Sequence, residues 1–304
     1  MKSRINFDFF YQKLLSDKMK RKSEQVILII AIASFIIQLL LIYLMDFGYI
    51  FLNTPPDLLK NPIAAIYTPF SFILVYEVYL LIYYLPKSIT TYISKQYEII
   101  TLIIIRRLFK DLSSLSLSTD WFNIKYDLQF TYDLVASVLL FFLIYLFYIQ
   151  SKKRYKTNLK KENESLNRFI KIKKILAASL VPILLFVAIY SFINWFIGAI
   201  DTLEKDTVSF KNINNIFFEQ FFNILIIADV ILLLFSFFHT DEFHKVIRNS
   251  GFIISTILIR ISFSTTGLLN TLLIVSAIVF GLLILIIHNK FEAQIELESN
   301  AIVK

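Results

Sequence analysis

The chain has 304 residues, of which 57% are hydrophobic and 16% aromatic, and it carries a formal net charge of +8. This composition lies outside the range of ordinary soluble domains and predicts an all-α integral membrane protein. The sequence contains no cysteine, which excludes disulfides and thiol chemistry. It also lacks a glycine-rich phosphate loop and a Ser/His/Asp pattern, so we expect no enzyme, no cofactor and no catalytic residue.

The basic residues are concentrated in two segments. Residues 1–24 contain seven Lys/Arg and residues 151–174 contain ten, of 31 in the chain. Both segments flank hydrophobic stretches, so the positive-inside rule predicts that both are cytoplasmic, with the lipid bilayer and its anionic lipids as partners. The basic segments lack interleaved aromatic residues, so we expect no nucleic-acid partner. A homo-oligomer is left open.

The first element in chain order is an amphipathic helix from Ile5 to Met19. Ile5, Phe9 and Leu14 fall near one face, while its lysines lie elsewhere. This arrangement predicts that residues 1–24 form an interfacial helix on the cytoplasmic leaflet.

Eight apolar segments follow, and each is predicted to be a transmembrane helix. The first of them follows a polar lead of 24 residues and is too long for a cleaved signal peptide. The segments are Val26–Met45, Ile66–Leu85, Ile89–Phe109, Val135–Tyr148, Ile175–Ile197, Ile216–Phe238, Phe243–Phe263 and Leu268–Ile287.

The two cytoplasmic basic segments decide how these helices are grouped. An even number of crossings must separate them, so residues 25–150 and 175–290 are predicted to form two tandem, parallel four-helix units. Both termini are then cytoplasmic, with 291–304 as a tail. The linker 151–174 is open to two interpretations, a helical bridge between the units or a solvated basic linker.

Charged residues inside the apolar segments recur with similar spacing in the two predicted units, which indicates an internal repeat. An acid is followed by a first base after 18 residues in one unit and 19 in the other, and a second base follows 11 or 12 residues later. The residues are Glu77, Lys95 and Arg106 in the first unit, and Asp229, Arg248 and Arg260 in the second.

Hairpin geometry predicts how these charges pair. Glu77 and Lys95 are equidistant from the turn at Pro86, and Asp229 and Arg248 are equidistant from theirs, so each pair lies at one depth and should form an ion pair.

Two further charges mark the outer boundary. Arg260 is predicted to reach Glu219. Arg106 has no matching acid and has several options, which are snorkelling outward, reaching Asp46 or Asp57, or pairing across the two units.

The intramembrane pairs leave two functions open. They could line a polar route for ion or small-solute permeation or sensing, or they could only fix helix register in a non-transporting scaffold or effector that recruits lipid or a protein. No metal site is expected, because the five-residue spacing of His239 and His244 does not place both on one helix face, and His288 stands alone at a helix end.

Residues 216–290 contain a combination of motifs that is found in a known family. Asp229 lies in an aromatic-rich helix, His244 and Arg248 follow the next turn, Thr256–Arg260 reads Thr-Ile-Leu-Ile-Arg, and Lys290 begins a basic tail. In these features the segment resembles the PsiE-like, phosphate-starvation-inducible bacterial membrane proteins. The resemblance implies a multi-pass protein of the bacterial inner membrane without a settled biochemical activity.

Overall fold

The computed structural model describes residues 7–49, 62–112, 125–153, 164–201, 211–238, 242–265 and 267–302. Within these ranges the regular structure is helical throughout, apart from turns, and each of the eight predicted apolar segments is helical. The α-helices are α1 (Phe7–Leu14), α2 (Asp17–Asp46), α3 (Tyr67–Tyr84), α4 (Ile89–Leu112), α5 (Lys125–Ser151), α6 (Glu164–Asp201), α7 (Lys211–Phe237), α8 (Phe243–Ser262) and α9 (Leu268–Ile302), and a short 3-10 helix, Pro62–Ile66, precedes α3.

The N-terminal segment is divided into two helices, where the sequence predicts one from Ile5 to Met19. The break falls at Ser16, whose side chain accepts a hydrogen bond from the backbone N–H of Met19 at 3.3 Å. Serine at this position caps a new helix, and Asp17 in the first turn interacts favourably with the helix dipole. The helix that contains the first apolar segment therefore begins at Asp17, well before Val26.

Two predicted boundaries fall inside continuous helices. The predicted linker 151–174 is helical from Glu164 onward, because α6 runs without interruption into the next apolar segment. Residues 154–163 lie outside the described part of the chain, so both interpretations of the linker stay predictions. The predicted tail 291–304 is likewise helical to Ile302 as the end of α9.

Four described helical stretches are long and apolar enough to cross a membrane, namely Tyr11–Asp46, Leu128–Ser151, Gln220–Phe237 and Leu268–Glu298. Their apolar side chains also point outward. Ile29 is 66% exposed and Val138 is 68% exposed, which would be unfavourable in water but suits contact with lipid. The described residues are therefore helical outside the turns, and four of their helical stretches are suited to crossing a membrane. The count of eight spans, the tandem arrangement and the repeat stay predictions.

The chain forms two compact units, and their boundaries fall within helices. Unit 1 comprises residues 1–83, 102–131 and 177–224, and unit 2 comprises residues 84–101, 132–176 and 225–304. In unit 1, tyrosines of α3 anchor the N-terminal helices. Tyr76 donates to Glu24 Oε2 at 3.1 Å, and Tyr79 donates to the Leu14 carbonyl at 2.9 Å.

Unit 2 is centred on the packing of α8 against α9. Gly251 on α8 allows a close approach to Ile284 on α9. Beside them, Tyr97, Phe147 and Phe252 form a buried aromatic core, in which the Tyr97 ring meets Phe147 edge-on at 5.1 Å between centroids. This packing holds α8 and α9 together at the polar end described below.

Candidate functional site

Asp229 on α7 is buried in unit 2 and is held by hydrogen bonds from α4. Tyr92 Oη donates to Oδ1 at 2.8 Å, and Gln96 Nε2 donates to Oδ2 at 3.1 Å. Both carboxylate oxygens are therefore satisfied by neutral partners, and the predicted ion pair of Asp229 with Arg248 is wrong. Tyr92 and Gln96 share one face of α4 because they are four residues apart.

Arg248 on α8 instead faces α9. Its Nε and Nη2 donate to Asn249 Oδ1 at 3.2 and 3.0 Å, and its Nη1 donates to His288 Nε2 at 2.9 Å. Asp229 and Arg248 do not meet for a geometric reason. Equal distance from a turn places two residues at one depth, but the rotation of each helix about its axis decides which neighbour a side chain meets.

For the first predicted pair, Glu77 with Lys95, the contacts described are those of Lys95. Lys95 forms an ion pair with Glu98 one turn along α4, and its ammonium lies over the Tyr84 ring. Glu77 belongs to unit 1, and its pairing with Lys95 stays a prediction.

The predicted boundary charges are untested by the described residues. The side chain of Glu219 lies outside the described part of the chain, as does Asp57. The proposed partners of Arg106 and Arg260 therefore stay predictions.

A polar cavity of about 190 Å³ lies at the end of unit 2 where α8 begins and α5 ends. All but one of its lining side chains are polar or charged, although α5 and α9, which contribute most of them, contain long apolar stretches. The lining residues are Thr90, Gln150, Ser151, Lys153, Arg248, Leu285, His288, Asn289 and Glu292. Of these residues, Arg248 was predicted from the sequence to be an intramembrane charge.

His244, His288 and Glu292 form a compact cluster beside the cavity, and His288 and Glu292 also line it. His244 Nε2 lies 3.0 Å from Glu292 Oε1, and His288 Nε2 lies 3.8 Å from the same oxygen. The two imidazole rings stack with centroids 5.3 Å apart. His288 is thus not the lone residue that the sequence suggested, and the four-residue spacing of His288 and Glu292 was the missed signal. His239 lies outside the described residues.

Amide groups and a buried lysine make further contacts at this end of unit 2. Asn289 Nδ2 donates to the Gln150 carbonyl at 2.9 Å and so joins α9 to the end of α5. Lys173 on α6, which precedes the predicted span Ile175–Ile197, donates to the Lys87 carbonyl at 3.1 Å and lies over the Phe169 ring. These contacts join α9 to the end of α5, and α6 to the turn that precedes α4.

Lys173 gives this end of unit 2 a specific pH dependence. Burial, together with the nearby charge of Arg248, lowers the pKa of Lys173 from 10.5 to about 8. Below pH 8 the ammonium is protonated in both the folded and the unfolded chain, and the cost of burying it is fully present. Between pH 8 and 10.5 the unfolded chain binds more protons, so the contribution of Lys173 to stability rises with pH.

We therefore expect the wild-type melting temperature to rise relative to that of Lys173→Met between pH 8 and pH 10. The measurement is thermal unfolding of both proteins in detergent at pH 7, 8, 9 and 10. The difference between the two melting temperatures at each pH cancels the contribution of the other groups that titrate between pH 8 and pH 10. Two parallel curves would contradict the burial of a titrating ammonium at this position.

Comparison with protein-family models, with curated proteins and with solved structures finds no match to this chain. The site is therefore interpreted from its own geometry. It combines cationic, anionic, amide and hydroxyl groups around a small volume, so it can accept a hydrated ion or a small polar solute.

Proposed function

We propose that the protein is a multi-pass protein of the bacterial inner membrane whose unit 2 admits an ion or a small solute, for permeation or for sensing. The observation that carries this proposal is the polar cavity at one end of strongly apolar helices. Polar and charged groups are costly in such helices unless they pair internally or line a water-filled space. The cavity supplies that space for Arg248, His288 and Glu292.

The orientation of the cavity follows from the basic segments. Lys153 lines it and Lys173 packs nearby, and both belong to the basic stretch 151–174 that the positive-inside rule assigns to the cytoplasm. We propose that the cavity opens to the cytoplasm. We also propose that residues 216–290 are related to the PsiE-like family. Two residues of the motifs that carry this resemblance, His244 and Arg248, lie at this end of unit 2.

The test is a flux and binding measurement on protein reconstituted in liposomes, with a panel of protons, alkali cations, divalent cations and small anions. Thr90→Leu narrows the cavity, whereas Thr91→Leu makes the same change at the neighbouring exposed residue outside it. For the conducted ion, we expect Thr90→Leu to lower the rate several-fold and Thr91→Leu to preserve it.

For sensing without flux, we expect the solute to raise the melting temperature of wild type and Thr91→Leu but not of Thr90→Leu. Absence of both flux and solute-dependent stabilisation would contradict the proposal.

A second candidate is a membrane scaffold or effector without transport. The hydrogen bonds of Asp229 favour it, because both oxygens of this carboxylate are used by Tyr92 and Gln96 in a packed interior away from the cavity lining. In that case the polar groups specify helix packing, and the basic segments recruit anionic lipid or a protein partner. The liposome experiment separates the two candidates, because a scaffold shows neither flux nor solute binding while its stability depends on anionic lipid.

A further inference from the structure

His244, His288 and Glu292 present three potential metal-ligand atoms that all lie within 4.8 Å of one another. Metal–nitrogen and metal–oxygen bonds of about 2.0–2.2 Å place neighbouring ligand atoms of a tetrahedral site about 3.3 Å apart. The separations of 3.0 Å and 3.8 Å from Glu292 Oε1 to the two imidazole nitrogens bracket that distance. Small rotations of these side chains would therefore bring all three atoms onto one ion.

The helices explain why the three ligands converge. His288 and Glu292 are four residues apart on α9, so they project from one face on successive turns. His244 lies in the first turn of α8, which packs along α9 and places its imidazole over that of His288. All three side chains are buried, and they leave room for a fourth ligand on the cavity side, since His288 and Glu292 line the cavity.

Two further observations concern His288. Its Nε2 accepts a hydrogen bond from Arg248 Nη1, which requires the neutral ring with its proton on Nδ1. Within the described residues, Nδ1 is buried and has no hydrogen-bond partner. Neutral imidazole is the form that ligates metals, and Nε2, which lies toward Glu292 Oε1, is the nitrogen that would do so here.

Arg248 occupies the position of a competing cation. Its Nη1 uses the acceptor lone pair of His288 Nε2 that a metal ion would need, while Nε and Nη2 remain on Asn249. An arriving cation must displace only the Nη1 contact, because the two bonds to Asn249 hold the guanidinium to one side. Removal of the guanidinium should therefore strengthen metal binding, since it removes both competition and charge repulsion.

We infer that His244, His288 and Glu292 form a binding site for a divalent transition-metal ion of the Zn²⁺ type. Two imidazoles and one carboxylate with an open fourth position are the ligand set that suits such an ion, and imidazole disfavours Mg²⁺ and Ca²⁺. The inference rests on the proposed function in one respect, namely that the cavity beside this cluster is the route by which a ligand arrives.

The test is metal binding by the full-length, tag-free protein in detergent at constant pH, with Zn²⁺ followed by equilibrium dialysis and elemental analysis, and Co²⁺ followed by visible absorption. We expect one equivalent of Zn²⁺ and the intense absorption of four-coordinate Co²⁺. His288→Asn and Glu292→Gln should each weaken binding at least tenfold, because losing even a residue that only supports a metal ligand costs about 10–100-fold. Arg248→Gln should strengthen it several-fold.

His239→Ala is the matched histidine control and should bind like wild type. Binding lost in His239→Ala but kept in His288→Asn would overturn the inference, as would the absence of stoichiometric binding in monodisperse wild-type protein. Arg248→Gln keeps the test decisive if the ligand variants fail to fold, because unchanged or weaker binding in this variant would also overturn it. Zn²⁺ binding without flux and without solute-dependent stabilisation would refute the proposed function alone. Flux of another solute without Zn²⁺ binding would refute the metal site alone.

Discussion

Replacing Gly281 with alanine is expected to destabilise unit 2 strongly. A Cβ at this position of α9 would collide with the Tyr97 hydroxyl, and with Tyr97 Cζ at 3.0 Å. Tyr97 is fully buried, hydrogen-bonds Ser255 at 2.7 Å and contacts Phe147, so its ring has nowhere to move. Overpacking of this kind costs about 1–3 kcal/mol, and a direct clash with a fixed ring falls at the upper end.

The melting temperature in detergent measures this effect, and two comparisons make it specific. Gly251→Ala should cost less, because its new Cβ would lie 2.8 Å from Ile284 Cγ1, a milder overlap than the collision with the Tyr97 hydroxyl. Tyr97→Phe should partly restore Gly281→Ala, because it removes the colliding hydroxyl. If the double variant is no more stable than Gly281→Ala, the clash is not the cause of the destabilisation.

The second large effect is expected for Asp229→Ala, which removes the acceptor of two buried hydrogen bonds. Tyr92 Oη and Gln96 Nε2 would lose their partner in a buried environment. An unsatisfied buried donor costs roughly 1–3 kcal/mol, so the variant should lose a large fraction of the stability of unit 2. Asp229→Asn preserves the size and one acceptor oxygen and should cost clearly less.

Double-mutant cycles distinguish the observed partner from the one that the sequence predicted. Asp229→Ala combined with Tyr92→Phe should lose less stability than the sum of the single variants, because both changes remove the same hydrogen bond. Asp229→Ala combined with Arg248→Ala should be additive, since these side chains have different partners. Coupling in the second cycle and additivity in the first would show that the charge pair forms after all.

Helix type and position were predictable because a single physical term dominates them. Long apolar segments such as Val26–Met45 and Leu268–Ile287 must be helical in a lipid environment, since every backbone polar group has to be satisfied within the segment. Helix ends were less predictable. Ser16 starts α2 through a local cap, and α6 begins at Glu164, because polar residues continue a helix whenever no breaker intervenes.

The candidate site was only half predictable. The cost of charge in apolar sequence singled out Asp229 and Arg248 without a structure. Their partners could not be obtained in this way, because Tyr92, Gln96 and His288 are ordinary residues in the sequence and gain importance only through the neighbours that packing supplies.

The sequence by itself determined that the long apolar segments are helical, that Asp229 is a carboxylate within one of them, and that thiol chemistry is excluded. These properties depend on composition and local spacing along the chain. The tertiary structure alone decided that Asp229 meets α4, that Arg248 meets α9, and that His244, His288 and Glu292 meet one another beside a cavity. The physical reason is that side-chain partners depend on the rotation and packing of whole helices, and many weak contacts between distant segments determine both.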